Sequence, residues 1–515
     1  MTAATAPQRP LPFATRLLNG VERAGNALPH PVTLFIGLSA LVMVLSWLLS
    51  TLGVQVAHPA TGKPVFVVNL LSLDGLQRLM VGALPNFIGF APLGTVLVSL
   101  LGLSIAEGSG LIAALLRQIS AAARPRTLTI LVVLAGVISH AGTDVGYVLL
   151  IPLSAGLFLA VGRHPLAGLA AAFAGVSGGF SANFLISAID VVLAGMTQEA
   201  ARLIDPAYVV TPMANYYFMA ASSVIIVVAG TWVTERIIET RLGGYTGTAT
   251  RDALESLSPA ERRGLRAAGI ATAVLTGVIL LGTIPANGFL NDPAKPGFLN
   301  SYVLRGFVMV IFMYGAIPGL TYGWISGRFR NDHDVVKAMT KAIETLAGYV
   351  VLVFFIAQFV ALFNWTNVGI VTAVEGAEFL RKLGLGPIPL MIAFVLLAAA
   401  IDLVLGSATA KWAVMAPIFV PMFMLLGYSP ELAQSAYRIG DSVVNIITPL
   451  MSYFPLVLTF AQRYEPKAGI GTLVATMLPY SISFLVVWTL LLVLWLLAGW
   501  PLGPGAPLFV GSTSP

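Results

Sequence analysis

The sequence predicts an all-α polytopic membrane protein: about nine transmembrane helices of about 20 residues each, plus two re-entrant hairpins entering from opposite faces as an inverted repeat. Three observations predict it. The chain of 515 residues is 57% hydrophobic and only 10% charged, where soluble domains carry about 25% charged residues. Its lysines and arginines cluster between apolar runs, the pattern of cytoplasmic loops. Two apolar segments, 127–161 and 387–426, each have a polar centre, and the first is too long for one span and too short for two.

Taken in order, the stretches 32–52, 85–106, 213–235, 267–287, 301–326, 342–364 and 470–498 are full spans, and 165–196 and 438–461 are interrupted ones. Arg9, Arg16 and Arg23 precede the first span; Arg117, Arg124 and Arg126 follow the second. Six arginines lie between 236 and 266; Arg328, Arg330, Lys337 and Lys341 form another cluster, and Arg463 with Lys467 the last. These clusters place the N-terminus in the cytoplasm, and parity leaves the tail "PLGPGAPLFVGSTSP" outside. The stretch 1–31 lacks an apolar core and cleavage site, so it reads as a retained cytoplasmic tail. The expected organisation is this tail, first spans over 32–126, a first hairpin and broken helix over 127–196, middle spans over 197–386 with a cytoplasmic loop at 236–266, a second hairpin and broken helix over 387–461, and a last span and tail over 462–515. Within the loop, Ser258 and Glu261 form a capping-box start for a solvated cytoplasmic helix.

The first hairpin has Arg124 and Arg126 before it and Arg163 after it, so both ends face the cytoplasm. Its tip, "SHAGTD", then lies at mid-membrane, where irregular backbone is tolerated only under protein or beside a water-filled cavity. The second begins at "GPIPL", turns at "GSATAK" and ends at "LLGYSPE", with few basic residues at either end, so it enters from outside. Pro152 follows the first tip; Pro417 and Pro421 follow the second. Each hairpin precedes a segment broken by Gly, Pro and hydrogen-bonding residues, "GVSGGFSANFLISAID" and "RIGDSVVNIITPLMSYFPLVLTFA". A hairpin followed by a broken helix, twice and in opposite orientation, is the signature of a secondary transporter whose sites lie where the broken elements meet.

Ionisable residues inside a membrane mark functional sites by default. Asp402 and Lys411 lie on opposite arms of the second hairpin, near Ser407, and can pair across it. Arg438 and Asp441, three apart on one helix, share a face and can pair; the planar fork of Arg438 also suits a substrate carboxylate. Asn445 follows Asp441 by one turn and Pro449 follows by another, freeing a carbonyl near 445. Ser181 and Asn183 offer the matching set in the first repeat. The expected ion-coupling residues are thus Ser181, Asn183, Asp402, Ser407, Asp441 and Asn445, with Na⁺ held at Asn183, Asn445 and Asp441, a hard-oxygen environment at helix breaks. Asp190 suits a proton carrier. Trp412, deep rather than interfacial, suits stacking on an aromatic ring. His140 and Asp144 flank the first tip, His140 as a backbone cap.

Other chemistries lack residues. The chain has no cysteine and five histidines without metal-ligand spacing, no G-x-S-x-G elbow, no aspartyl dyad at protease-like spacing and no Walker A motif, which argues against an enzyme and against direct ATP drive. The formal net charge of +6 belongs to cytoplasmic loops rather than to a nucleic-acid surface. No cofactor beyond Na⁺ is expected; the partners are a small-molecule substrate and the bilayer.

The run from Gly406 to Leu458, above all "KWAVMAPIFVPM", "YRIGDS" and "NIITPLMSYFP", resembles the AbgT family of p-aminobenzoyl-glutamate transporters, among the elevator-type ion transporters, and the likeness extends from about Leu17 to Trp500. The resemblance implies a bowl-shaped homodimer with scaffold and transport subdomains in a bacterial inner membrane. It implies transport of p-aminobenzoyl-glutamate, or export of sulfonamide antimetabolites, driven by a Na⁺ or H⁺ gradient. It puts the substrate path on Asp190, Trp412, Pro430, Arg438, Asp441 and Pro449. The family pattern has an amide just before the Leu-x-x-Gly-Ser run, where this chain has Asp402; that difference bears on ion coupling. The alternative is a dicarboxylate or citrate carrier of the same hairpin architecture, which would have no use for the aromatic platform of Trp412.

Overall fold

A computed structural model describes residues 31–57, 62–121, 127–139, 146–247, 257–285, 287–294, 301–449, 451 and 453–511. His140 and Asp144 lie outside the described residues, as do Arg9, Arg16, Arg23, Arg124 and Arg126. Helix α1 (Pro31–Thr51) leads into an antiparallel pair of short strands, β1 (Gln55–Ala57) and β2 (Pro64–Phe66), with Val56 opposite Val65. Helices α2 (Leu73–Ile88), α3 (Ala91–Gly108) and α4 (Leu111–Ala121) follow. The span expected at 85–106 is therefore the end of α2 and most of α3, joined through Gly89 and Phe90, with Pro85 inside α2 and Pro92 at the start of α3.

The first hairpin is α5 (Leu128–Ile138), a π turn at 146–150 and α6 (Ile151–Ala160). Its broken partner is α7 (Pro165–Phe173), a π turn at 174–178, an irregular stretch and α8 (Ala188–Ala201). The middle of the chain supplies α9 (Tyr216–Val233), α10 (Pro259–Thr283), α11 (Phe307–Ser326), α12 (Asp332–Thr345), α13 (Ala347–Trp365) and α14 (Val368–Lys382). The second hairpin is α15 (Pro387–Asp402) and α16 (Ala408–Leu425), its tip spanning 403–407. Its broken partner is α17 (Pro430–Asn445) and α18 (Phe454–Gln462), and α19 (Ile470–Ala498) closes the helical order. Eight helical stretches among the described residues are long and apolar enough to cross a membrane.

The capping box forms as expected, with Ser258 Oγ accepting from the Glu261 N–H at 3.2 Å and Glu261 Oε2 accepting from the Ser258 N–H at 2.8 Å. The helix it starts is not a separate cytoplasmic element: α10 runs unbroken from Pro259 to Thr283, because no proline follows its charged first turns before the apolar stretch. On α10, Ile270, Val274 and Leu281 are exposed, as a lipid-facing surface requires.

Helix α17 is the opposite case. Its sequence, "PELAQSAYRIGDSVVN", is the most polar of the helices in the two repeats, yet every residue of it is buried. It lies against α8, α15, α16, α19 and the π turn at 174–178. Two glycines let the repeats close on it and on its counterpart. A Cβ on Gly440 would stand 2.4 Å from the Val395 carbonyl oxygen of α15. A Cβ on Gly175 would stand 2.5 Å from the Val133 carbonyl oxygen of α5. In both repeats, then, the first hairpin arm rests its backbone on a glycine of the broken helix, a contact only a residue without a side chain permits.

Candidate functional site

Helix α8 begins at the N-cap Ser187, whose N–H and hydroxyl donate to Asp190 Oδ2 at 2.6 and 2.8 Å. That leaves Oδ1 of Asp190 for Arg438 Nη2 on α17, an ion pair between the two repeats with both side chains buried. Asp190 thus caps its own helix and holds the opposite repeat. The pairing of Arg438 with Asp441 that their spacing suggests does not form, because Asp441 is taken by Lys411: Nζ lies 2.6 Å from Asp441 Oδ1. The same ammonium pairs with Asp402 Oδ1 across the hairpin tip. Tyr437 adds a hydroxyl to Asp441 Oδ1 at 3.2 Å and reaches the Ala408 carbonyl at 2.6 Å.

Ser407 is the N-cap of α16, accepting from the Ala410 N–H at 3.3 Å, and so aims Lys411 and Trp412 from the first turn of that helix. Trp412 is fully buried. Its ring stacks on Tyr437 with centroids 4.4 Å apart, and its indole N–H donates to Thr197 Oγ1 at 2.9 Å. From there a chain of hydrogen bonds runs on: Thr197 to Gln434 Oε1 at 2.6 Å, Gln434 to Asn215 Oδ1 at 2.9 Å, and Asn215 to the Glu431 carbonyl at 2.9 Å. The Glu431 carboxylate accepts from the Tyr208 hydroxyl at 2.9 Å. Sequence reasoning passed over Thr197, Tyr208, Asn215, Glu431, Gln434 and Tyr437. For three of them a signal existed: Glu431 and Gln434 lie seven and four residues before Arg438 on one helical face, and Tyr437 lies four before Asp441.

The remaining candidates gather at the helix breaks. Ser181 donates its N–H to Ser442 Oγ at 3.1 Å, which ties the first break to α17. The Asn183 amide, oriented so that its nitrogen donates, reaches the carbonyls of Val137 at 3.0 Å and Ala182 at 3.3 Å. Helix α17 ends at Asn445, and Thr448 Oγ1 bonds the Val444 carbonyl at 2.9 Å. Pro449 therefore lies in the break and not in the helix: the hydroxyl of Thr448 has closed the last turn before it. Pro430 occupies the first position of α17, where the missing N–H costs nothing. A Na⁺ ion at Asn183, Asn445 and Asp441 does not fit this arrangement. The Asp441 oxygen that would anchor it carries the Lys411 ammonium and the Tyr437 hydroxyl.

Helix α8 separates this cluster from open space. Asp190 and Thr197 turn toward α17, while Val191, Ala194, Gly195 and Gln198 line a cavity of about 590 Å³ that is bounded by residues 209–212, Leu304, Arg305 and Phe307. Arg305 at its rim pairs with Asp292 at 2.8 Å and keeps a half-exposed side chain. A second, more apolar cavity of about 450 Å³ lies between α3, α4, α11 and the first break, lined in part by Phe184, Ile186, Tyr216 and Tyr314.

Comparison with known proteins agrees with this architecture. The profile of the AbgT putative transporter family matches residues 16–510. The p-aminobenzoyl-glutamate transport protein of Escherichia coli (strain K12) is 42% identical over 490 residues, covering 95% of this chain and 96% of that protein. The Neisseria gonorrhoeae MtrF structure, described among a class of antimetabolite efflux pumps, is 49% identical with a TM-score of 0.91, over 96% of this chain and 100% of that one. The crystal structure of the Alcanivorax borkumensis YdaH transporter, noted for an unusual topology, is 44% identical with a TM-score of 0.88, over 92% and 100% of the two chains.

Proposed function

The chain belongs to the AbgT putative transporter family, and from that premise we propose that it carries p-aminobenzoyl-glutamate, or a sulfonamide sharing its ring, across a bacterial inner membrane under a cation gradient. The observation that carries this reading is the interlock of the repeats. Two opposed hairpins and two broken helices meet in a multi-pass membrane protein around buried, paired charges: Asp190 with Arg438, and Lys411 with Asp402 and Asp441. Charges this costly to bury belong to a pathway. The substrate class comes from the named relatives. It accords with an arginine whose Nε has no hydrogen-bond partner among the described residues, and so keeps an N–H for a carboxylate.

In this reading α8 is the wall between cavity and charge cluster, and its movement with the hairpins brings Asp190, Arg438 and Asp441 into contact with substrate. Trp412 and Tyr437, stacked on each other, form the aromatic floor that the p-aminobenzoyl ring meets when the tip opens; Pro430 and Pro449 set the two ends of α17. The coupling cation acts at the carboxylates of Asp190, Asp402 and Asp441. The basic clusters put the N-terminus in the cytoplasm and the C-terminal tail outside, and the family resemblance adds a homodimer.

The test is flux through purified protein in proteoliposomes. Labelled p-aminobenzoyl-glutamate and a labelled sulfonamide are each offered under an imposed Na⁺ or H⁺ gradient of either polarity. Saturable movement against the substrate's own gradient, abolished when the ion gradient is collapsed, is the expected result. Movement only down the substrate gradient, or none for either compound, overturns the reading.

A further inference from the structure

The second hairpin carries a cation of its own into the site. Lys411 and Asp402 are both fully buried and pair across the tip, and Lys411 Nζ also lies 2.6 Å from Asp441 Oδ1 on α17. Asp402 Oδ2 is buried with no hydrogen-bond donor among the described residues. With Asp190 and Arg438 included, three carboxylates face two basic side chains, so the cluster holds one negative charge in excess. A dry site with surplus carboxylate attracts a small monovalent cation. The position between Asp402 and Asp441 that such a cation would take is held by the Lys411 ammonium, itself a compact single charge, and the surplus remains after it is counted. Two such cations cannot share one carboxylate oxygen in a low-dielectric interior, where their repulsion is barely screened.

The placement of the three residues also says how the position could be vacated. Asp402 ends α15 and Lys411 lies in the first turn of α16, so both move with the hairpin tip. Asp441 belongs to α17, a separate element. Displacing the tip from α17 separates Lys411 from Asp441 while leaving it with Asp402.

We propose that Lys411 is a tethered counter-cation that keeps alkali cations off the Asp402–Asp441 pair, so that Na⁺ reaches these carboxylates only when the ammonium is withdrawn. Lys411 is then the residue that sets cation selectivity at the hairpin tip. The inference deepens the ion-coupling part of the proposed function and rests on it for its bearing on transport. Its test reads binding and not flux, so the two can fail separately.

Purified protein is melted with Na⁺ raised from zero to about 150 mM, choline replacing Na⁺ at constant ionic strength. Wild type and Lys411→Arg should be indifferent to the exchange. Lys411→Met, and Lys411→Met combined with Asp402→Asn, should gain Na⁺-specific stabilisation, read as a Tm rise of about 2 °C or more over choline. The double variant keeps the net charge of the wild-type cluster and uncovers Asp441, the acid on α17 that the ammonium holds, so it tests the idea at that carboxylate even where the single variant does not fold. Absence of a Na⁺-specific gain in the variants overturns the proposal. So does a wild type stabilised by Na⁺ as strongly as they are.

Discussion

Arg438 lies one turn from Asp441 on the same helix and still pairs with Asp190 in the other repeat, because the Lys411 ammonium reaches Asp441 from the hairpin. The sequence pointed to all five charged residues, and the opposed hairpin arms to one pairing, Asp402 with Lys411; helical spacing could not rank partners that approach from another element. A second residue, away from the membrane interior, turns geometry into a pH dependence. His164 caps α7, its Nδ1 accepting from the Leu166 N–H at 3.3 Å, with Tyr245 edge-on at 5.3 Å. Partial burial lowers its pKa below the ordinary value, and the carboxylates of Glu465 and Glu239 only partly oppose this. The cap needs the unprotonated nitrogen. Its contribution is therefore complete above the unfolded-state pKa of about 6.5 and is lost as pH falls below that toward the lowered folded-state value. His164→Asn keeps a cap acceptor that does not titrate. The drop in Tm between about pH 7.5 and about pH 5.5 should be smaller in this variant than in wild type, and an unchanged drop would show that the cap is not what titrates.

At the scale of elements, the hairpins and breaks were legible because polar residues inside apolar runs have few places to go, and α17 follows that logic furthest, with every polar group buried. Boundaries were less legible. The break before α18 depends on Thr448 closing the helix, and the continuity of α10 past its capping box depends on what is missing from the sequence between Glu261 and Thr283. The amphipathic α12, capped by Asn331 accepting from the Asp334 N–H at 3.0 Å, went unread because its charges merged with the basic cluster that marked sidedness. Backbone contact between elements left the least trace in sequence, yet it yields a direct expectation. With the Val395 carbonyl 2.4 Å from a Cβ at Gly440 and the Ala398 Cβ at 2.7 Å, Gly440→Ala must push α15 off α17, at a cost of about 1–3 kcal/mol. Gly471→Ala on α19 meets nothing within 4 Å and should be neutral or stabilising by about 0.5–1 kcal/mol. Thermal melts of both variants settle whether the glycine contact holds the second repeat together: equal Tm values would show that α15 yields freely.

For the whole molecule, charge parity and internal symmetry reinforce each other. Each hairpin must begin and end on one side of the membrane, and the two must use opposite sides, or the repeats are not inverted. The structure supplies testable ends. Thr127 and Val161 flank the first hairpin and are exposed. Leu385 precedes the second and is exposed, and Val510 lies beside its far end, its N–H donating to the Gly427 carbonyl at 2.9 Å. The natural chain contains no cysteine, so single cysteines at these four positions report without background. In intact cells, Cys at 127 and 161 should react only with a thiol reagent that crosses the membrane, and Cys at 385 and 510 should be blocked by one that does not. That expectation rests on the basic residues near the first pair, Arg163 with Glu239 at 2.6 Å among them, because basic residues favour the cytoplasmic side. Inverting all four results together would reverse the sidedness and keep the repeat. A split within either pair would remove that hairpin, and with it the interlock of Asp190 with Arg438 and of Lys411 with its two acids as a meeting of opposed repeats.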